Sequence, residues 1–453
     1  MRPRRLSEVA AAVQGHRFGE DVEVSSAAAD SRSVLPGALF FAIRGERGDG
    51  HDFVADAFAR GSAAAVVRDP SVSRGPAVVV EDTGEALLAL AGYERAASDA
   101  RLVGITGSTG KTSTKDLAAL VLGARFHVSA SPSSYNNEIG LPLTILGAPP
   151  DAEVIVAEMG GRRIGHIARL AAVARPDVGV VTNVGVAHLE LFGSREKIAQ
   201  AKAELVRALP REGLAILPAD DRVASGFAAL TRARTVTFGT APGADVRAEE
   251  LVLGDDGCAS FMLAAGGGRE RVELAVPGEH MVANALAAAA SGLVLGISPA
   301  ECAAALKGAR ISAWRMETFV NADGVRVVND AYNANPDSMA AALRAARWIA
   351  RSGRFAAVLG RMAELGTATI EEHERVGQLA ARLRVDRVVT VGEEARGIAI
   401  AAVREGVEPE NVASYSDPAE ALSDVRAWAG PGDVVLFKAS RVVGLERLAE
   451  AMR

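Results

Sequence analysis

The chain has 453 residues, 49% apolar and 23% charged, which at roughly 150 residues per domain is room for about three domains with their own cores and excludes intrinsic disorder. A net charge of -6 with only 4% aromatics offers nucleic acid or an anionic membrane no general attraction, so neither is expected as a partner and any anionic substrate must be held by local groups. Cys258 and Cys302 lie far apart and outside any C-x-x-C pair, which argues against a disulfide framework or zinc site and fits a reducing cytoplasm.

The first residues, MRPRRLSEVAAAVQG, are basic but lack a continuous apolar stretch before a cleavage site; Leu6, Val9 and Val13 instead share the face of an amphipathic helix. Up to about residue 100, short strand-like runs such as GALFFAI (37–43) and AAAVVR (63–68) are separated by turn-rich segments such as RGERGDGHD, which predicts a small α/β unit. From 101 to 309, the runs LVGIT, EVIVAEM and DVGVVTNVG alternate with helical patterns, as in a parallel sheet flanked by helices. Residues 310–453 repeat the alternation with VRVVND, FAAVLG, RVVTVG and DVVLFK. No Pro/Ser-rich linker marks the boundaries, which are set where the alternation restarts. The longest mostly apolar segment, ANALAAAASGLVLGI (283–297), is short for a membrane span and interrupted by Asn284, Ser291 and Gly292, so no membrane insertion is expected.

Chemistry enters at VGITGSTGKTSTK (103–115). An apolar run, a glycine-bearing loop and a helical pattern follow in order, which points backbone N–H groups and the positive end of a helix dipole at a phosphate. Lys111 can reach β- and γ-phosphates and Thr112 can hold magnesium. The strict pattern G-x-x-x-x-G-K-[ST] wants glycine at 105, where Ile105 stands; Gly104 is one place early. EVIVAEMGG ends an apolar strand in Glu158, either a solvated acid or a magnesium ligand beside the phosphate loop. DVGVVTNVGVAHLELFGS brings Asn183 and His188 to another strand end, where the histidine fits a structural role or a ligand role. In SREKIAQAKAELVRAL, Lys202 shares the apolar face of Ile198, Leu205, Val206 and Leu209. It either snorkels to water or stays inside as a neutral amine, able to take up carbon dioxide as a carbamate.

Together these motifs resemble the Mur ligase family, ATP-dependent amide-forming enzymes of peptidoglycan precursor synthesis, over essentially the whole chain. TGSTGKTST is similar to their phosphate loop, shifted glycine included, and AEMG, TNVGVAHLELFGS and AKAELV follow in family order. The resemblance implies an α/β fold of three domains: a small N-terminal α/β uridine-nucleotide domain (1–100), a central ATP-binding P-loop parallel sheet flanked by helices (101–309) and a C-terminal Rossmann-like α/β domain (310–453). It implies ATP on Gly107, Ser108, Thr109, Gly110, Lys111, Thr112, Ser113, Asn137, His280, Asn284, Arg315 and Asn333. Two magnesium ions are implied, one on Thr112 and one on Glu158, His188 and carbamylated Lys202, with Lys111, Glu158, His188 and Lys202 as catalytic groups.

Residues 30–67 resemble the family's uridine-diphosphate-binding domain, which implies substrate contacts at Ser31, Arg32, Gly45, Asp49 and His51. SYNNEIGLPLTIL (134–146), NDAYNANPDSMAAAL (329–343), VLGRMAELG (358–366) and GDVVLFKASRVVGLERL (432–448) resemble the dipeptide-adding branch, and the D-N-P-R signature of the diaminopimelate-adding branch is absent. The implied reaction joins D-Ala-D-Ala to a UDP-N-acetylmuramoyl-tripeptide, with Asn335, Lys438, Ser440 and Arg441 on substrate, in a cytoplasmic monomer. By residue type alone, Asn333 and Asn335 equally fit an Asn-Pro turn opening a helix, and FKASR equally fits a surface charge cluster. A sibling ligase adding the third amino acid, a folylpolyglutamate synthase and a non-catalytic nucleotide switch are the alternatives; the N-K-x-D guanine signature is absent. Met281, Arg361 and Trp314 depart from the family pattern, at the mouth of the cleft between the second and third domains.

Overall fold

The computed structural model describes residues 1–45, 48–132, 134–186, 189–351 and 353–453. Its main sheets follow one another along the chain. The first has five strands in the order His16–Phe18, Ala77–Val79, Ala64–Val67, Ala38–Phe41 and Ser26–Ala28, parallel except for the edge strand His16–Phe18. Ala38–Phe41 and Ala64–Val67 are buried at every position, which is why they read as unbroken apolar runs rather than alternating ones. Helix Leu6–Ala12 buries Leu6 and Val9, as its spacing predicts. Helix Thr83–Ala96 begins at Asp82, whose Oδ1 accepts the Gly84 and Glu85 amides. Its Leu87 and Leu90 share a core with Leu141, Ile145, Ile167 and Leu170, and so dock this unit on the next.

The second sheet has nine strands. Arg101–Thr106 lies between Val154–Glu158 and Val178–Val181, all parallel, and beyond them stand Val128–Ala130 on one side and Leu214–Pro218 and Arg234–Gly239 on the other. The expected parallel sheet carries an addition: Val246–Leu253, Cys258–Ala265 and Gly268–Pro277 extend it as an antiparallel meander. Burial alternates strictly every second residue along Cys258–Ala265, as in a one-sided sheet, and helices His280–Val294 and Pro299–Leu306 cover its inner face.

Strand order reverses around Arg101–Thr106, and in α/β sheets the crevice beyond the carboxyl ends at such a point is where ligands bind. Pairing sets Glu158 beside Ile105 and Val181 beside Thr106, so the 107–110 loop, Glu158 and Asn183 emerge at one edge.

The third sheet has six strands in the order Glu317–Val320, Arg326–Asn329, Val434–Lys438, Phe355–Gly360, Arg387–Val391 and Val412–Tyr415, parallel except for the first. One apolar cluster holds residues of both the second and the third sheet's units, Met281 and Phe261 from the one and Met339 and Ile349 from the other. Among the described residues no helix is long and apolar enough to cross a membrane.

Candidate active site

Strand Arg101–Thr106 ends and helix Lys111–Leu122 begins with no side-chain cap, which leaves the helix's first amides to a ligand. Space and backbone both demand glycine in the loop between. Gly110 has φ +78° and a Cβ there would lie 2.3 Å from Asn284 Oδ1; at Gly107, φ +148°, it would lie 1.9 Å from Thr182 Oγ1. The 182–185 segment braces the loop. Thr109 N donates to Asn183 Oδ1 at 3.0 Å, Asn183 Nδ2 donates to Thr109 Oγ1 at 2.8 Å, and Ser108 N donates to the Asn183 carbonyl at 3.1 Å. Ser108 Oγ donates to the Gly185 carbonyl and accepts from its amide, both at 3.0 Å. Ser108 and Thr109 thus shape the loop, while Gly110, Lys111, Thr112 and Ser113 present its helix end.

Thr112 is the hub. Its hydroxyl donates to Glu158 Oε2 at 2.7 Å and accepts from the Arg315 guanidinium at 2.8 Å, and Asn136 Nδ2 donates to Glu158 Oε1 at 2.7 Å. Arg315 also donates to Ser134 Oγ at 3.1 Å and stacks on Tyr332 at 4.1 Å; its buried Nε has no partner among the described residues. Lys111 Nζ donates back to the Gly107 carbonyl at 2.8 Å. Burial holds the Lys111 ammonium below its usual range, with Glu158 opposing and Arg315 adding to the shift.

Lys202 lies inside: it is 2% exposed on the inner face of helix Arg195–Arg207, so the snorkelling alternative falls. Burial first and Lys111 second push it down to about 7, against the pull of Glu204 and Glu158. The neutral amine is therefore available near neutrality. Glu204 is committed elsewhere, accepting the Gly165 and Ala168 amides at 2.6 and 2.9 Å at the start of helix His166–Ala174.

Glu158 and Thr112 are oxygen donors of the kind magnesium takes. Among the described residues no three His, Cys, Asp or Glu side chains gather into a metal cage, so the other positions around a magnesium ion would fall to water, phosphate oxygens or a further ligand; His188 lies outside the described residues. A cleft of about 1280 Å³ runs past this hub, lined from all three sheets' units.

Of the other sequence-predicted residues, Asn137, His280, Asn284, Asn333, Asn335, Lys438, Ser440 and Arg441 line that cleft. Several already have structural work. Asn137 Oδ1 accepts the Gly140 amide at 2.8 Å, Asn335 caps helix Pro336–Ala350 by accepting from Ser338 N at 2.9 Å, and Asn284 Oδ1 accepts from Thr114 Oγ1 at 3.2 Å. Lys438, 2% exposed, is neutralised by Asp330 at 2.5 Å and donates to the Asn333 carbonyl at 3.2 Å. Ser440 Oγ accepts the Ala363 amide at 2.9 Å. Arg441 pairs with Glu446 at 3.0 Å and stacks on Trp314 at 4.1 Å.

The three departures are likewise engaged. Trp314 takes φ +60°, the region that favours glycine; Met281 Sδ accepts from Asn284 Nδ2 at 3.4 Å; Arg361 pairs with Glu394 at 2.6 Å.

Ser31, Arg32, Gly45, Asp49 and His51 stand outside the lining of this cleft. They follow the adjacent parallel strands Ser26–Ala28 and Ala38–Phe41, so both segments leave one sheet edge. Ser31 is buried and Arg32 is exposed beside Asp30 at 2.7 Å, while Gly45 N donates to the Gly48 carbonyl at 2.9 Å. His51 Nε2 accepts the Arg68 amide at 2.9 Å, so Nδ1 carries the proton given to Asp49 at 2.6 Å. Asn136, Ser134, Asp330 and Asp337 join the site without having been singled out; the first two stand beside Asn137 in SYNNEIG, where only the fold tells one asparagine from the other.

Comparisons with known proteins agree along the whole chain. Residues 23–93 match the catalytic domain of the Mur ligase family, 105–292 the Mur ligase middle domain and 314–441 the Mur ligase glutamate ligase domain. The UDP-N-acetylmuramoyl-tripeptide–D-alanyl-D-alanine ligase of Mycobacterium tuberculosis (strain CDC 1551 / Oshkosh) is 43% identical, over 93% of this chain and 91% of that one. The crystal structure of MurF from Acinetobacter baumannii has a TM-score of 0.89 at 31% identity, covering 99% and 98%. MurF ligase from Thermotoga maritima in complex with ADP has 0.82 at 30%, covering 95% and 97%.

Proposed function

The chain belongs to the Mur ligase family as an ATP-dependent peptide ligase, and from that premise we propose that it joins D-Ala-D-Ala to a UDP-N-acetylmuramoyl-tripeptide through an acyl phosphate, releasing ADP and phosphate. The observation that carries the reading is the convergence of Lys111, Thr112, Glu158 and buried Lys202 beside one cleft lined from all three units. The substrate assignment follows the relatives, which are dipeptide-adding ligases over nearly their full length.

A carboxylate is a poor acyl donor because oxide would have to leave. Its oxygen therefore attacks the γ-phosphorus of ATP and the bond to ADP breaks. The amine of D-Ala-D-Ala then attacks the acyl carbon, the carbon–oxygen bond to phosphate breaks, and the amine's proton is lost to solvent. Two anions meet in the first step, so the protein's task is positioning and electrostatic compensation. Lys111 and the helix N-terminus carry positive charge at the phosphates, and Arg315 brings a third from the C-terminal unit on the same Thr112 hydroxyl. The acceptor's carboxylate falls to the side of the cleft lined by Lys438, Ser440 and Arg441, where Asp330 and Glu446 balance the two cations and hold their N–H donors in place.

Magnesium, when bound, neutralises phosphate charge, and Thr112, Glu158 and a modified Lys202 are the residues that would hold it. The modification we propose is a carbamate: neutral Lys202 takes up carbon dioxide, a nitrogen–carbon bond forms and a proton leaves. This adds a second oxygen anion beside Glu158. We assign residues 1–100 to the uridine nucleotide, 101–309 to ATP and 310–453 to the acceptor, in a cytoplasmic monomer. The test is phosphate release with UDP-N-acetylmuramoyl-tripeptide and ATP: it should depend on D-Ala-D-Ala, and release with single amino acids at the same rate would contradict the assignment.

A further inference from the structure

The 183–186 segment that braces the phosphate loop is held from its other side by the C-terminal unit. Val186 N donates to Asp337 Oδ2 at 3.1 Å. At Gly185, whose backbone is not among the positive-φ glycines, a Cβ would lie 2.0 Å from the same oxygen and 3.1 Å from Asp337 Cγ, with Ser108 Cβ at 3.6 Å. The carboxylate is not spent on its own helix, since Asn335 and Ser338 cap Pro336–Ala350 reciprocally. One segment therefore touches Ser108 and Thr109 on one side and Asp337 on the other. Other contacts cross between the same two units, among them Arg315 to Thr112, Glu190 N to the Glu364 carbonyl at 3.1 Å, Ser312 to Asp116 at 2.7 Å and Trp348 Nε1 to the Gly254 carbonyl at 2.9 Å; beside these, the Asp337 contact is the one that reaches the segment bracing the phosphate loop.

We propose that Asp337 is a positioning residue for ligation: its carboxylate seats the C-terminal unit against the 183–186 segment, so that the phosphate loop takes its working shape only when the acceptor-bearing unit is in place. The site at which ATP is activated is thereby coupled to the unit assigned to the dipeptide, an inference that rests on the reaction proposed above. The contact is solvent-accessible, so water can satisfy Val186 N when the carboxylate is gone. Removing it changes seating rather than folding.

The test uses four variants of the full chain: Asp337→Ala, Asp337→Asn, Gly185→Ala and the Gly185→Ala/Asp337→Ala pair. Asp337→Ala should lower kcat about tenfold while leaving ADP affinity and melting temperature nearly unmoved. Asp337→Asn, which keeps an oxygen acceptor, should retain most of kcat. Gly185→Ala should match Asp337→Ala, because its methyl displaces the carboxylate, and the pair should be no slower than either single change. X-ray scattering with ADP and magnesium should show the same pattern as a larger radius of gyration in the Ala variants, again non-additive, and not in Asp337→Asn. An Asn variant as slow and as open as the Ala variant, additive effects in the pair, or a loss of ADP affinity equal to the loss of kcat would each overturn the proposal. A wild-type protein that shows the scattering pattern but no dipeptide-dependent phosphate release would instead overturn the reaction assignment and leave the seating contact standing.

Discussion

Lys202 carries the largest quantitative expectation. With its ammonium pushed from 10.5 to about 7, the folded protein below pH 7 holds a buried cation that the unfolded chain carries freely in water. The depression corresponds to roughly 5 kcal/mol. The sign follows from proton counting: between the two values the unfolded chain binds the extra proton, so stability rises with pH across about 7 to 10.5, and the full penalty applies below that window. Lys202→Met keeps the volume and removes the charge. In carbonate-free buffer at pH 6 the variant should be more stable by roughly 3–5 kcal/mol, or about 6–15 °C in melting temperature, and the gap should close toward pH 10. Bicarbonate at pH 8 should raise the melting temperature of the wild-type protein and not of the variant, because only the lysine can become a carbamate. The same substitution should abolish ligation. Thermal scanning across pH, with and without bicarbonate, reads all of this. A Met variant that melts at or below wild type at pH 6, or a gap that ignores pH, would refute the reasoning.

Lys111→Ala should lower turnover by more than about a hundredfold, measured as phosphate release, since charge compensation at the γ-phosphate depends on that ammonium. Gly110→Ala forces a Cβ to within 2.3 Å of Asn284 Oδ1 at φ +78° and should abolish binding of a fluorescent ATP analogue without unfolding the chain. Asp116 joins helix Lys111–Leu122 to the 310–315 linker, accepting from Ser312 N and Oγ at 2.7 Å each and pairing with buried Lys115 at 2.7 Å. Asp116→Ala should therefore destabilise by roughly 1–3 kcal/mol, since it leaves buried Lys115 with the Ser131 carbonyl but no counter-charge, read by denaturant titration.

The parts of the site that are local in sequence are legible in it. A strand, a Gly-Lys-Thr turn and a helix specify the phosphate loop because one stretch makes all of it; helical spacing sets Lys202 on the apolar face but leaves snorkelling open, and burial decides it. The meander at 246–277 is hard to read because the alternation along Cys258–Ala265 is one of burial and not of residue type: every residue there except Ser260 is apolar. Asn137 and Asn335 illustrate a different limit. A short amide side chain near a helix start serves a cap and a ligand equally well by type, and only the recorded partners, Gly140 N and Ser338 N, separate the roles. Asp337 reads in the sequence only as part of the helix that the Asn-Pro turn opens; its contact depends on a glycine 152 positions earlier that leaves room for it, which no local pattern carries.

The central claim is that the phosphate loop, Glu158 and Lys202 serve amide formation with a dipeptide. It is tested most directly by following phosphate release and new peptide mass together, with UDP-N-acetylmuramoyl-tripeptide, ATP and a choice of D-Ala-D-Ala, L-Ala-L-Ala or single amino acids. The account predicts one phosphate released per D-Ala-D-Ala joined, with the other acceptors far slower; phosphate release without a peptide product, or with a single amino acid as the preferred acceptor, would contradict it.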